Sequence, residues 1–430
     1  MARITRRQFL KSAAVAAGGA AAPFIVPSSV FGGPAGAPPS GKITVGVIGC
    51  GIMGDRLRRL FSAIPDSTVV AVCDVNNDVR QRVAEQTPGV KLFSDFRELL
   101  ALDEVDAVVI GTPHHAHAFI AVAAAKAGKD IYCEKPLTHT IHESRVVTDT
   151  VRRYGRVLQV GTHRRAGMPQ RRGVELVRNQ RMGKLHTIRV YTRPGLTREA
   201  APVAPTLPVP QGFAWDLWLG PAPWLDFCGV HQKRTWNLYS DYSTGEITMT
   251  DCHILDAIPW AAGQFLQGPI EIEGSHDPEP NVAYRVTFKY ANGVNMIVEA
   301  RAEQPLSKGV RFEGTEGWVH IDVLNYRMYT DPPTLSTSAI GADGFRLAEM
   351  KHYQNEWGAC CLDFAQSVKT RAEPLCPVEG GHKMTVLSDL VWIAPRLGRK
   401  LKWDDAAERF IGDDDANRLL HYAYRSPWTL

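Results

Sequence analysis

Three glycines open the chemistry of this chain: Gly49, Gly51 and Gly54, in the run G-C-G-I-M-G, follow a short apolar, β-branched segment that begins at Lys42. Each has a separate job in binding a pyrophosphate. Gly49 allows a tight turn, Gly51 lets the backbone come close to the phosphates, and Gly54 lets the following helix pack on the strand. The helix, expected from near Asp55, then points its free amides at the anion, with Ile52 and Met53 completing the loop. Three glycines alone are also a turn in any α/β protein. The register of an acid narrows the reading: the apolar run Thr68–Cys73 ends in Asp74, twenty residues past Gly54. A carboxylate there binds the adenosine ribose hydroxyls and repels a 2′-phosphate, which favours NAD over NADP.

Strands and helices alternate around these residues. A helix is expected over Val79–Gln86, a strand over Lys91–Phe93, a helix over Phe96–Ala101, and buried strands over Ala107–Ile110 and Asp130–Tyr132. Such units predict a parallel sheet with right-handed crossovers, binding its ligand at the carboxyl ends of the strands. Two polar segments land there, Thr112-Pro113-His114-His115-Ala116-His117 and Cys133-Glu134-Lys135-Pro136. The histidines raise the question of a metal, but no carboxylate or thiolate cluster accompanies them and none is expected. Glu134, Lys135 and Pro136 read, on the residues alone, as a turn after a strand with its charges solvated, although a lysine whose pKa is lowered by burial and positive neighbours is chemically suited to take a hydroxyl proton.

Taken together, G-C-G-I-M-G, Asp74, T-P-x-x-x-H at 112–117, C-E-K-P-L at 133–137, W-D-L-W-L-G-P at 215–221, H-x-x-D at 253–256 and F-E-G-T-E-G-W at 312–318 resemble the Gfo/Idh/MocA family. The resemblance implies an α/β protein: an N-terminal Rossmann domain with a parallel sheet, then an α+β domain with a large open, mostly antiparallel sheet, and an active site between them. The expected boundaries are 1–40 for a leader and linker, 41–160 for the NAD-binding domain and 161–430 for the substrate and oligomerisation domain, whose last helices can pack back on the first. The resemblance also implies Thr112, Pro113, His117, Glu134 and Lys135 as cofactor contacts, a cis Lys135–Pro136 bond, and a homodimer or homotetramer.

In the second half, Val157–Arg165 reads as a strand feeding a polar loop, where His163, Arg164 and Arg165 bind hydroxyls or a carboxylate, or are simply solvated. Trp215 and Trp218 offer aromatic faces to a sugar or pack in a core. The segment Thr248–Trp260 resembles the helix that supplies the second catalytic group, although Met249 stands where the inositol-dehydrogenase pattern has Asp. His253 is then the proton-shuttling partner of Lys135, with Asp256 orienting it or packing behind it; Asp251 is the candidate substitute for the missing carboxylate, although two residues along a helix it points elsewhere. Alternating runs at Tyr284–Tyr290 and Asn295–Ala300, split by Asn292-Gly293, predict a hairpin of the antiparallel sheet, and Leu362–Val368 and His382–Leu397 predict amphipathic helices.

The chain has 430 residues, 44% hydrophobic and 22% charged, enough for two cores. A surplus of four positive charges, several of them in the first residues, gives no basis for a nucleic-acid partner. Those first residues read T-R-R-Q-F-L-K, followed by an Ala- and Gly-rich stretch without acids, and resemble a twin-arginine (Tat) signal. The apolar run is too short and too broken by Gly18, Gly19 and Pro23 for a membrane span. The expected partner is therefore the Tat export machinery and the expected compartment the periplasm. Eight scattered cysteines form no C-x-x-C pair and suggest neither zinc nor a disulfide framework. The leading expectation is an NAD-dependent oxidoreductase of a sugar or polyol that keeps its cofactor. An NAD-dependent glycoside hydrolase, working by oxidation, elimination and hydration without net redox, is the first alternative, and a non-catalytic sugar- and NAD-binding protein the second.

Overall fold

A computed structural model describes residues 41–195, 205–229, 234–268, 270–279, 281–301, 308–350 and 355–430. The expected export signal lies outside the described residues. The first layer reads β1 (Ile43–Ile48), α1 (Ile52–Ala63), β2 (Ser67–Cys73), α2 (Asn77–Gln86), β3 (Lys91–Phe93), α3 (Phe96–Leu100), β4 (Ala107–Ile110), α4 (His114–Lys126), β5 (Asp130–Cys133), α5 (Ile141–Arg153) and β6 (Leu158–Val160). All six strands are parallel, in the order β3-β2-β1-β4-β5-β6. Strands β4 and β5 are buried along their whole length, as expected of strands covered by helices on both faces. Strand order reverses between β1 and β4, and such a switch point leaves a crevice at the strands' carboxyl ends.

Helix α1 begins three residues before the expected Asp55. The amide of Asp55 already donates to Gly51 O at 2.9 Å, so its carboxylate sits inside the first turn, where the helix dipole favours an anion. The loop is correspondingly short, and the helix N-terminus starts at the glycines themselves.

The rest of the chain builds α6 (Met168–Arg178), β7 (Leu185–Thr192), α7 (Trp215–Leu219), α8 (Cys252–Ala262), β8 (Ile270–Glu279), β9 (Val282–Tyr290), β10 (Asn295–Arg301), β11 (Gly309–Gly314), β12 (Gly317–Asp322), β13 (Arg327–Asp331), α9 (Glu356–Thr370), α10 (Val378–Leu397), β14 (Lys400–Asp404), β15 (Arg409–Phe410) and α11 (Asp414–Arg418). Its nine strands form one sheet, antiparallel except where β7 runs parallel to β10. Along β9 the side chains of Val282, Tyr284, Val286, Phe288 and Tyr290 alternate into the core, where they meet residues of α8 and α10 such as Ile258 and Leu390. The opposite face is laced by ion pairs: Arg285 Nε lies 2.7 Å and Arg301 Nε 3.0 Å from Glu299, and Arg189 Nε lies 3.1 Å from Glu313. Opposite charges on neighbouring strands support that face without an apolar cover. The hairpin at Asn292-Gly293 joins β9 to β10, with Gly293 at φ 87°.

Helices α9 and α10 extend beyond the amphipathic stretches legible in sequence. Asn355 caps α9 by accepting from Gly358 N at 3.0 Å, which carries the helix back past Leu362. All eight cysteines are buried with free thiols. Among the described residues no helix is long and apolar enough to cross a membrane.

Candidate active site

The glycine loop is packed backbone against backbone. A Cβ on Gly54 would stand 1.7 Å from Gly49 O, and one on Gly111 would stand 2.8 Å from Gly54 Cα. Gly49 itself has φ 81°, a conformation that glycine adopts without penalty. Gly51 differs: nothing lies within 4 Å of its Cβ position, so the space above it is open. Asp74, at the end of β2, accepts from Cys50 N at 2.7 Å through one oxygen and from Asn76 N at 2.9 Å through the other. It thereby ties the glycine loop to the loop after β2. Burial raises its pKa, against those bonds and the nearby Arg80 and Arg82.

A cleft of about 350 Å³ runs over the carboxyl ends of the strands. Gly49, Gly51, Asp74 and Ser94 line it on the β2–β3 side and Glu134, Lys135 and Met249 beyond β5, with Thr112, Pro113 and His114 between. Ile52 and Met53 also line it, and Ile52, 64% exposed, presents an apolar side chain to its mouth. His117 braces the floor, with Nδ1 2.8 Å from Pro136 O and Nε2 2.9 Å from Thr112 O. Burial holds it below the usual imidazole range, and a neutral ring can donate to only one of those carbonyls. The other two histidines diverge from it: His114 meets Trp236 edge-on at 4.8 Å, and His115 Nε2 lies 2.9 Å from Trp218 O. Among the described residues no group of His, Cys, Asp or Glu is placed to hold a metal.

Glu134 is buried, and its Oε1 meets no hydrogen-bond partner among the described residues. Burial lifts its pKa to about 7, opposed by Lys135 and Arg56. The next bond, Lys135–Pro136, is cis. Lys135 Nζ donates to Met249 O at 2.6 Å. Met249 therefore serves the lysine through its main chain, from a π-helical turn over Ile247–Asp251 that precedes α8. Turns of that kind release carbonyls from the α-helical ladder and recur at functional sites. Asp251 does not replace the missing carboxylate: it accepts from Arg193 N at 2.8 Å, and burial takes it up to about 7.

Two further histidines adjoin. His253 on α8 is buried, its Nδ1 has no partner among the described residues, and its ring meets His163 edge-on at 4.8 Å. Burial, then the charges of His163, Lys135 and Arg164, hold His253 well below the ordinary imidazole range. His163 stacks on Trp357 at 3.5 Å, and the Arg56 guanidinium lies 5.1 Å over the other ring. Arg164 reaches Leu324 O at 2.9 Å and lies 4.3 Å over Tyr326. Both oxygens of Asp256 are held by Arg165, at 2.8 and 2.6 Å, rather than by His253. Trp215 is buried and donates to Leu225 O at 2.8 Å, stacked at 4.9 Å on Trp218. Of the pair only Trp218 reaches the cleft.

Sequence reasoning missed Arg56, Trp236, Trp357 and Trp428. Arg56 stood in plain view one residue beyond the expected helix start. The tryptophans carry no spacing signal, because each comes from a different segment.

The arrangement is that of a nucleotide-dependent oxidoreductase, and comparison with known proteins agrees. Residues 43–162 match the NAD-binding Rossmann-fold model of the Gfo/Idh/MocA oxidoreductase family, and residues 200–430 match the model of its C-terminal α/β domain; the chain belongs to this family. Residues 3–23 match the twin-arginine translocation signal. The NAD(+)-dependent scyllo-inositol 2-dehydrogenase of Bacillus subtilis is 26% identical over 342 residues, 78% of this chain and 88% of that protein. Inositol 2-dehydrogenase 2 of Saccharopolyspora erythraea is 39% identical over 125 residues, 29% of this chain. That match spans only 37% of the relative's length. Among solved structures, the WlbA dehydrogenase of Bordetella pertussis with NADH and UDP-GlcNAcA superposes with a TM-score of 0.60 at 18% identity, over 84% of this chain and 98% of that one. A levoglucosan dehydrogenase with NADH and levoglucosan gives 0.58 at 18% identity, over 84% and 99%. At such identities the likeness is one of fold.

The cleft fits NAD, the cofactor named for this family. Open space above Gly51 suits a pyrophosphate, Asp74 keeps lone pairs for ribose hydroxyls, and Glu134, which lines the cleft, has a carboxylate oxygen that still lacks a donor.

Proposed function

We propose that this chain is an NAD-dependent oxidoreductase acting on a hydroxyl of a sugar or polyol, exported with its cofactor already bound. The observation that carries the reading is Lys135, lining the cleft and held by Met249 O at 2.6 Å, with the buried His253 close enough to feel its charge. When bound, NAD supplies the acceptor for a hydride leaving the carbinol carbon. Lys135 spends one donor on Met249 O and turns the remainder of its amino group toward the substrate oxygen. His253, neutral because burial, with the neighbouring His163, Lys135 and Arg164, disfavours its charged form, accepts the hydroxyl proton in concert with Lys135. Glu134 contacts the cofactor, and His117 holds the Thr112 and Pro136 carbonyls that shape the floor. Trp218, which lines the cleft, offers an aromatic face to the sugar, and we assign His163, packed against His253, and the adjoining Arg164 to the substrate side.

The export signal supports the same reading: the twin-arginine route carries folded proteins, and a periplasmic enzyme finds little free dinucleotide. The protein purified from the periplasm should contain NAD, and incubation with free sugars and polyols should reduce it without added cofactor. Release of nitrophenol from nitrophenyl glycosides, with no net reduction, would replace the dehydrogenase by the hydrolase. Bound dinucleotide with no activity on either panel would leave a non-catalytic binding protein, and absence of any dinucleotide would sink the proposal of export with the cofactor bound.

A further inference from the structure

The dinucleotide cleft is not walled by the parallel sheet alone. A segment of the proline-rich stretch lies along the loop after Asp74: Asn77 N donates to Gly212 O at 3.0 Å, Ala214 N donates to Val75 O at 2.9 Å, and Asn76 pairs with Phe213 in an isolated antiparallel bridge. Gly212 has φ 78° and its Cβ position lies 2.9 Å from Asn77 Cβ, so a larger residue would lift the segment away. From there the chain passes over the cleft, lining it with Phe213, Leu217, Trp218, Gly220 and Pro221.

Residues 425–428 return to the same place. Arg425 N donates to Pro221 O at 2.9 Å, and its guanidinium reaches Asp216 Oδ1 at 2.6 Å and Gly220 O at 2.8 Å. Three residues on, Trp428 stacks with Phe96 at 6.2 Å and 27° and meets Phe119 edge-on at 5.7 Å. Trp428 also lines the cleft, together with Ser94 and Phe96. Ser94 follows β3 as Asp74 follows β2, so this aromatic wall stands on the side where an acid in Asp74's position places the adenosine.

We propose that the C-terminal tail is part of the dinucleotide site. Trp428, with Phe96, forms the aromatic wall of the adenine subsite, and the strap from Gly212 to Pro221, pinned by Arg425, keeps the cofactor from leaving. Aromatic side chains bind bases through their π-faces whatever the base's edge, and a contact of that kind comes free of charge to desolvate. Release then requires the tail to lift first. The inference rests on the NAD reading above and on nothing about the substrate.

The test is a chase. Full-length protein loaded with NADH is mixed with excess NAD, and release is followed by the loss of protein-bound NADH fluorescence. Trp428→Ala is expected to speed release about tenfold or more, Trp428→Phe to restore most of the difference, and Arg425→Gln to speed release with the aromatic wall intact. Thermal unfolding of each cofactor-free variant checks that the fold survives. Tight NADH binding with release unchanged in both Trp428→Ala and Arg425→Gln would overturn the tail's role and leave the NAD site standing. Failure of the wild-type protein to bind NADH at all would overturn both.

Discussion

A single guanidinium, that of Arg165, holds both carboxylate oxygens of Asp256, at 2.8 and 2.6 Å, with both side chains buried. The pair joins the turn carrying His163 to the helix carrying His253, and Arg165 also donates to Leu375 O at 3.1 Å. Removing either partner strands a buried charge. Asp256→Ala should cost about 3–5 kcal/mol in chemical denaturation, whereas a double replacement by apolar residues of similar volume should recover most of it. A loss below about 1 kcal/mol for the single variant would mean that the pair is not buried as described.

Lys135 is predicted to matter for turnover and not for the fold. Lys135→Met removes the amine and leaves Met249 O without its donor, so kcat/KM should fall by roughly 10²–10⁴ while bound NAD, counted after denaturation, stays near the wild-type amount. Lys135→Arg should not rescue, because a guanidinium does not surrender its proton. Rescue by arginine would reduce Lys135 to a charge contact.

The pH dependence follows from His253. A group that must accept a proton works only when unprotonated, and burial, with Lys135, Arg164 and a second imidazole nearby, keeps this ring unprotonated well below the ordinary range. Falling pH should therefore leave kcat/KM intact through about 6.5, the ordinary imidazole value, and reduce it only further into acid. Arg164→Gln removes one of the positive neighbours and should shift that acid limb upward. An acid limb at or above about 6.5 in the wild type would point to a different base.

Glu134 makes a separate prediction for the cofactor. Burial raises its pKa to about 7, so it ionises as the solution passes through neutrality. An oxidised nicotinamide is cationic and favours the ionised carboxylate, so affinity for NAD should strengthen as pH rises through that value. Glu134→Gln should flatten the dependence, as read by titration calorimetry across pH.

Gly51 separates ligand space from packing space. With nothing within 4 Å of its Cβ position, Gly51→Ala should keep its unfolding midpoint, yet lose roughly tenfold or more in NAD affinity because the methyl stands where the pyrophosphate comes in. Gly54→Ala should instead fail to fold normally, since its Cβ would collide with Gly49 O at 1.7 Å.

These contrasts show what the sequence exposes and what it hides. The glycine loop, Asp74 and the strand ends were legible because nucleotide binding fixes both residue type and spacing along one continuous stretch. Strand β3, Lys91–Phe93, and strand β4, Ala107–Ile110, fall where the apolar runs predict them. Contacts between distant segments were not legible. Met249 reads as a defect while only its side chain is considered, and becomes a partner of Lys135 once a π-helical turn exposes its carbonyl. Asp256 reads as a partner for His253, three positions along the same helix, until Arg165 arrives from another element. The strap at Gly212–Pro221 has no periodicity to read, because its hydrogen bonds go to a loop rather than to a ladder.

The most direct test of the central claim follows one hydrogen. Protein purified with its NAD is given a sugar or polyol deuterated at its carbinol carbons, without added cofactor, and the bound dinucleotide is then analysed by mass spectrometry. Reduced dinucleotide carrying a single deuteron is expected in wild type but not in Lys135→Met. Reduction without deuterium, or unlabelled NAD throughout a panel of sugars and polyols, would contradict it.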